Sequence, residues 1–203
     1  MTDPLDLVYP FTGRWLAQNS PANRVPSHGT HLFASTYAID FVPVADNGRT
    51  ARFALRSLLG TEPPERFPGF GRNIHAPVDG VVIAALQCEP DHPAYRGLRS
   101  LGYAATQSRR ASAGWPALAG NHVLIETRGI VVALCHLQDS SVQVRAGQPV
   151  RAGDLIARCG NSGNSTEPHV HVQAVDSADF GRARGVPITF GGSLPVNGQL
   201  INA

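Results

Sequence analysis

The sequence predicts a mainly β fold in one domain, on three observations. In 203 residues there are 21 glycines and 16 prolines, so turns punctuate the chain at short intervals. The apolar runs between them are short and rich in β-branched residues, as strands are. With 42% hydrophobic and 16% charged residues, the chain has enough apolar material for one sizeable core spanning residues 1–203.

Each element follows in turn. Residues 1–30 are loop-rich, with Pro10, Pro21 and Pro26 beside Asn19 and Asn23, and are expected to wrap the domain surface. The β core is assigned to residues 30–86 and 119–176. Residues 36–42 read as a straight strand in which Tyr37, Ile39 and Phe41 share one face, and Ala38, Asp40 and Val42 the other. Residues 45–70 form a connection with a helix-compatible piece at 52–59. At Pro77-Val78-Asp79-Gly80 a turn leads into a β-branched strand. Residues 87–118 form a long insertion loop carrying Arg96, Arg99, Arg109, Arg110 and Trp115, expected to wall a groove or to be mobile. Strands are then expected at 122–126, 130–137, 141–144 and 169–175. Two echoes of Val-Arg-Ala-Gly, ending at Gly147 and Gly153, place glycine where a tight turn needs positive φ. Residues 177–203 are a Gly-rich tail folded back over the domain.

Composition excludes several chemistries. All 17 basic residues are arginine, so Schiff-base lysines, Walker-type phosphate loops and biotinyl or lipoyl carriers are ruled out. A net charge of +2 without basic runs gives no reason to expect a nucleic-acid partner. No secretory signal and no transmembrane run is visible, so the expected location is cytoplasmic, or the cell envelope or exterior if export follows another route. Cys88, Cys135 and Cys159 lack C-x-x-C spacing and are expected to be buried, reduced thiols.

The strongest chemical signal is His169 with His171, because residues two apart on a strand point the same way and can share one ion or substrate. His136, placed on a strand face with Val132 and Leu134, could bring a third imidazole. A Cys135–His136 nucleophile is rejected because strand neighbours point to opposite faces. Ser162 and Ser165 lack a nucleophile-elbow pattern. His75, His92 and His122 are expected to be solvated.

Five blocks in order resemble the lysostaphin-type, LytM-like zinc endopeptidases that cut peptidoglycan. They are Ala76-Pro77-Val78-Asp79-Gly80, Leu134-Cys135-His136-Leu137, the hairpin from Gly147 to Gly153, the turn from Gly160 to Thr166, and Pro168-His169-Val170-His171. The resemblance covers about half the chain. It implies small antiparallel sheets forming a groove, a barrel-sandwich-hybrid-like peptidase fold, with one Zn2+ on the groove floor. It implies Asp40 and His171 as zinc ligands, His136 and His169 as catalytic residues, and a peptidoglycan stem or cross-bridge peptide as substrate.

One position departs from the family. Its first ligand is a His four residues before the Asp, in H-x-G-x-D, and here Thr36 and Ala38 stand in place of His and Gly. A straight strand would separate residues four apart by about 13 Å, too far to share an ion. The segment Ser27-His28-Gly29-Thr30-His31 offers substitutes: His28, favoured because Gly29 frees the backbone to aim it, with His31 as the alternative. If neither serves, the chain reads as a catalytically degenerate relative that binds peptide or glycan, or regulates. With a complete site, two imidazoles and a carboxylate leave an open fourth zinc position, the mark of a catalytic site.

Overall fold

A computed structural model describes residues 3–51, 60–95 and 110–203. Its strands, in chain order, are β1 (Leu5–Leu7), β2 (Arg14–Gln18), β3 (Ile39–Pro43), β4 (Thr61–Glu62), β5 (Asn73–His75), β6 (Gly80–Leu86), β7 (Ala94–Tyr95), β8 (Asn121–Thr127), β9 (Ile130–Leu137), β10 (Pro149–Val150), β11 (Leu155–Arg158), β12 (Val170–Val175), β13 (Gly185–Val186), β14 (Ile188–Phe190) and β15 (Leu200–Asn202). The helix α1 (Trp115–Ala119) is short, and a 3-10 segment covers Leu32–Tyr37. The expected mainly β fold of small antiparallel sheets is what the chain adopts.

A nine-stranded sheet runs in the order β10-β6-β8-β9-β12-β3-β2-β15, with β13 also paired to β12; its end strands do not meet, so it does not close. Three two-stranded sheets accompany it, β1 with β14, β5 with β11 and β4 with β7. The central strands are buried on both faces. On β9, Val132 and Leu134 enter the main core, while Val131, Ala133 and Cys135 enter a second cluster with Trp115, Leu124 and Phe180. That is why residues 130–137 read as an unbroken apolar run rather than an alternating one.

The structure corrects several expectations. Residues 1–30 do more than wrap: β2 is an inner strand between β3 and β15, and Trp15 is fully buried, stacked on Phe11 with ring centroids 4.4 Å apart. Residues 177–203 likewise carry β13, β14 and β15, and Ile188, Phe190 and Ile201 join the core. Residues 141–144 form no strand, although Gln143 N–H still donates to the Ile156 carbonyl. The loop 87–118 contains β7 and the start of α1; its Arg96, Arg99 and Arg109, like the helix-compatible piece 52–59, lie outside the described residues. Gly147 and Gly153 take φ of 84° and 92°, but Gly147 turns the chain onto β6 through β10 rather than closing a local hairpin. Cys88 is exposed; Cys135 and Cys159 are buried.

His122, expected to be solvated, sits in β8 at 6% exposure, its ring 4.7 Å from that of Trp115. Burial holds its imidazole below the ordinary value, against the opposing hydrogen bond it donates to the Gly120 carbonyl. The unfolded chain therefore binds a proton at His122 that the folded chain resists. This stabilisation is complete above about pH 6.5 and is lost as the pH falls below it.

Two predictions follow from the packing. Trp15→Ala should lower the unfolding free energy in urea by about 3–5 kcal/mol, as for a core aromatic; a surface strap would lose less than about 1 kcal/mol. In metal-free protein, His122→Gln should flatten the decline in Tm between about pH 7 and pH 5, measured by circular dichroism melts.

Candidate active site

Strand alternation builds the floor of the site. On β3, Ile39 and Phe41 enter the main core, which turns Asp40 to the opposite face; on β12, Val170 and Val172 do the same for His171. The two strands pair antiparallel with His171 directly across from Asp40, and Cys135 of β9 lies across His171 on its other side. His169, two residues before His171, lies one residue ahead of β12 with its Nε2 3.8 Å from Asp40 Oδ1.

His136 reaches the same place by breaking the alternation. The β8–β9 register shifts between Asn121↔Leu137 and Val123↔Leu134, so β9 carries one extra residue, and His136 takes φ of 62°. Without this bulge its ring would enter the main core beside Leu134, the face the sequence pattern assigns to it. With it, the His136 ring lies 4.6 Å from that of His169 and 5.9 Å from that of His171. The bulge also removes the stated reason for rejecting a Cys135–His136 nucleophile, since both residues line one cavity. Such a nucleophile fails on electrostatics: burial, reinforced by the Asp40 carboxylate, pushes the Cys135 thiol far up and keeps it protonated.

The segment preceding β3 is not a straight strand. Residues 32–37 wind into a 3-10 segment with Phe33 and Ala34 at positive φ (54° and 60°), and the strand starts only at Ile39. Thr36 turns outward, its Oγ1 3.0 Å from Nδ1 of the exposed His31. His28 folds back instead, next to Gly29 at φ 73°, and its Nε2 lies 3.1 Å from Asp40 Oδ2. His171 Nδ1 lies 2.9 Å from Asp40 Oδ1. His28, Asp40 and His171 thus each offer one ligand atom, all within 4.8 Å of one another; His31 lies outside this group.

The charge environment is unusual. Asp40 is 6% exposed, and burial by itself would raise its carboxyl. Attraction from the neighbouring His28 and His169, with the imidazoles of His171 and His28 at hydrogen-bond distance, outweighs burial and holds it well below the usual carboxylate range. Burial first, then the nearby His169 and His171, hold His136 well below the ordinary imidazole value and so keep it neutral. Its Nδ1–H donates to the Ser162 carbonyl (2.9 Å), and that of His169 to the Glu167 carbonyl (2.8 Å). Each ring thus has its Nδ1 anchored and Nε2 as its remaining nitrogen.

The residues fit a zinc ion. Two imidazole nitrogens and a carboxylate converge, the usual donor set for catalytic zinc, and the group borders an open cavity of about 730 Å³. Sequence reasoning missed three groups. Asn19 Nδ2 donates to Asp40 Oδ2 (2.7 Å), Gln173 Oε1 accepts from His171 Nε2 (2.8 Å), and Ser27 Oγ lies 3.0 Å from His28 Nδ1. Gln173 was detectable, being two residues after His171 on the same strand face. Of the insertion, Arg110 and Trp115 do line the cavity; Arg110 Nε donates to Asn164 Oδ1 (2.7 Å), while Trp115 stacks on Phe180.

Residues 103–181 match the family described as peptidase family M23. Among solved structures, the chain is similar to the catalytic domain of the antimicrobial peptidase lysostaphin from Staphylococcus simulans, at 17% identity over 74% of this chain and 77% of that one, with a TM-score of 0.41. It is similar to the M23 metalloprotease pseudoalterin, of deep-sea origin, at 14% identity over 99% and 95%, with a TM-score of 0.49. A zinc-containing peptidase from Vibrio cholerae is 19% identical over 73% of this chain, with a TM-score of 0.37, and the chain spans 48% of its length. The matched stretch 103–181 carries His136, His169 and His171, and the LytM-like resemblance read from the motifs holds as a resemblance.

Proposed function

We propose that the protein is a zinc-dependent endopeptidase hydrolysing peptide bonds in peptidoglycan stem or cross-bridge peptides. The observation that carries this reading is the convergence of His28, Asp40 and His171 on the floor of an open cavity that two further histidines also line. His28, and not His31, is the third protein ligand in this reading.

Zinc held there would supply Lewis acidity and bring a water to reactivity near neutral pH. His169 is the proton acceptor: its free Nε2 faces the cavity, and the imidazolium it becomes sits 3.8 Å from the Asp40 carboxylate, which attracts it. His136, neutral and anchored on Ser162, orients the attacking water or the scissile amide through its own Nε2. After proton transfer, His169 can return the proton to the leaving amine, as one group serves as base and then acid. A peptidoglycan substrate places the site of action in the cell envelope or outside the cell. Among the described residues no helix is long and apolar enough to cross a membrane.

Protein purified without a metal-binding tag should carry one equivalent of zinc, and His28→Ala or His171→Ala should weaken zinc binding by several orders of magnitude in chelator competition. His169→Ala should retain zinc yet lose about 10²–10⁴-fold in release of peptides from purified peptidoglycan. If the wild type takes up no zinc from a slight excess, the catalytic reading falls and a peptide- or glycan-binding module replaces it.

A further inference from the structure

We infer that Gln173 and Ser27 are positioning residues that fix the tautomers of His171 and His28, so that both imidazoles turn a lone pair onto the same cation site. The inference deepens the zinc reading and rests on it.

The Gln173 amide nitrogen donates to the Phe33 carbonyl (3.1 Å), which leaves its Oε1 facing His171 Nε2 at 2.8 Å. An amide oxygen only accepts, so His171 Nε2 carries a proton, and Nδ1, which faces Asp40 Oδ1, is the nitrogen left to give its lone pair to a cation. Ser27 Oγ has one proton and donates it to the Ser35 carbonyl (3.1 Å). His28 Nδ1, 3.0 Å from that oxygen, is then the donor, which leaves Nε2, facing Asp40 Oδ2, as the nitrogen for the cation. Both inward nitrogens thus face carboxylate oxygens at about hydrogen-bond distance, and a cation bound among them takes the place of their protons.

Both relays end on one segment. Phe33 and Ser35 belong to the 3-10 turn whose positive φ at Phe33 and Ala34 aims these carbonyls, and Ser27 N–H also donates to the Thr36 carbonyl. Gln173 is 2% exposed and Ser27 fully buried, so neither pairs with bulk water. Because His28 reaches the site from a loop and not from the strand carrying Asp40, its ring needs such an outside anchor. Outer-sphere partners of this kind set ligand basicity and orientation.

The test compares zinc affinity, by chelator competition, in wild type, Gln173→Met, Gln173→Glu and Ser27→Ala, with the visible absorption bands of the Co2+-loaded proteins as a second readout. Gln173→Met and Ser27→Ala should each bind zinc about 10–100-fold more weakly, with altered Co2+ bands. Gln173→Glu, which keeps an acceptor toward His171 Nε2, should restore most of the affinity and the wild-type bands. Folding is checked by metal-free melts, and Ser27→Ala carries the test if Gln173→Met does not fold. Unchanged affinity in folded Gln173→Met, or a Gln173→Glu as weak as Gln173→Met, overturns the inference while wild-type zinc binding still stands. A wild type that binds no zinc overturns the underlying reading and this inference with it.

Discussion

A carboxylate buried at the centre of a sheet constrains everything around it. Asp40 sits at 6% exposure, where an uncompensated charge costs several kcal/mol, and among the described residues its ion-pair partners are three histidines. The surrounding chain is arranged to meet that cost. β2 ends where Asn19 can donate an amide, β12 runs in register to bring His171 across, and the loop before β3 returns to bring His28. In the proposed zinc site the cation takes the place of the protons that the inward nitrogens of His28 and His171 would otherwise share with Asp40.

Covering both sheet faces is what buries this carboxylate, and it also creates a difficulty. With Leu134 in the main core and Cys135 in the second cluster, a regular β9 would send residue 136 back into the main core. The bulge at His136, at φ of 62°, costs about 1 kcal/mol of backbone strain in a non-glycine residue. It converts an apolar strand end into a site wall, while the Ser162 carbonyl fixes the ring that results. The 3-10 turn at residues 32–37 is the same kind of device on the opposite side of the site.

Much of this was legible in the sequence, for identifiable reasons. Alternation places Asp40, His169 and His171 because β3 and β12 are regular there, and the V-R-A-G echoes mark their positive-φ glycines correctly. Alternation fails at His136 because a bulge leaves no mark in a run of apolar residues. It fails at Thr36 because Phe33 and Ala34 adopt a left-handed conformation that their residue types disfavour and only the tertiary setting supports. The N-terminal strands were hidden by proline and asparagine density: Trp15 is a core residue in a segment whose composition reads as loop. Asn19 reaches Asp40 from the end of another strand, which no spacing announces, whereas Ser27 adjoins His28 and Gln173 follows His171 by two residues, positions that could have flagged them.

The four site imidazoles differ in which nitrogen faces inward, and backbone distance explains the difference. His171 lies directly across a strand pair from Asp40, where Cβ atoms are only about 5 Å apart, so its near nitrogen, Nδ1, already reaches the carboxylate and Nε2 is left for Gln173. His28 approaches from a loop and spans the gap with its far nitrogen, leaving Nδ1 for Ser27. His136 and His169 likewise anchor Nδ1 on nearby carbonyls and keep Nε2 free. The ligand pair therefore holds its tautomers through side chains that meet on the 3-10 turn. The proposed catalytic pair holds its rings through main-chain carbonyls within the 160–167 turn. A shift of the 3-10 turn alone would reach the proposed metal ligands while leaving the proposed proton-transfer histidines in place, so in this reading metal affinity and proton transfer rest on separate parts of the same fold.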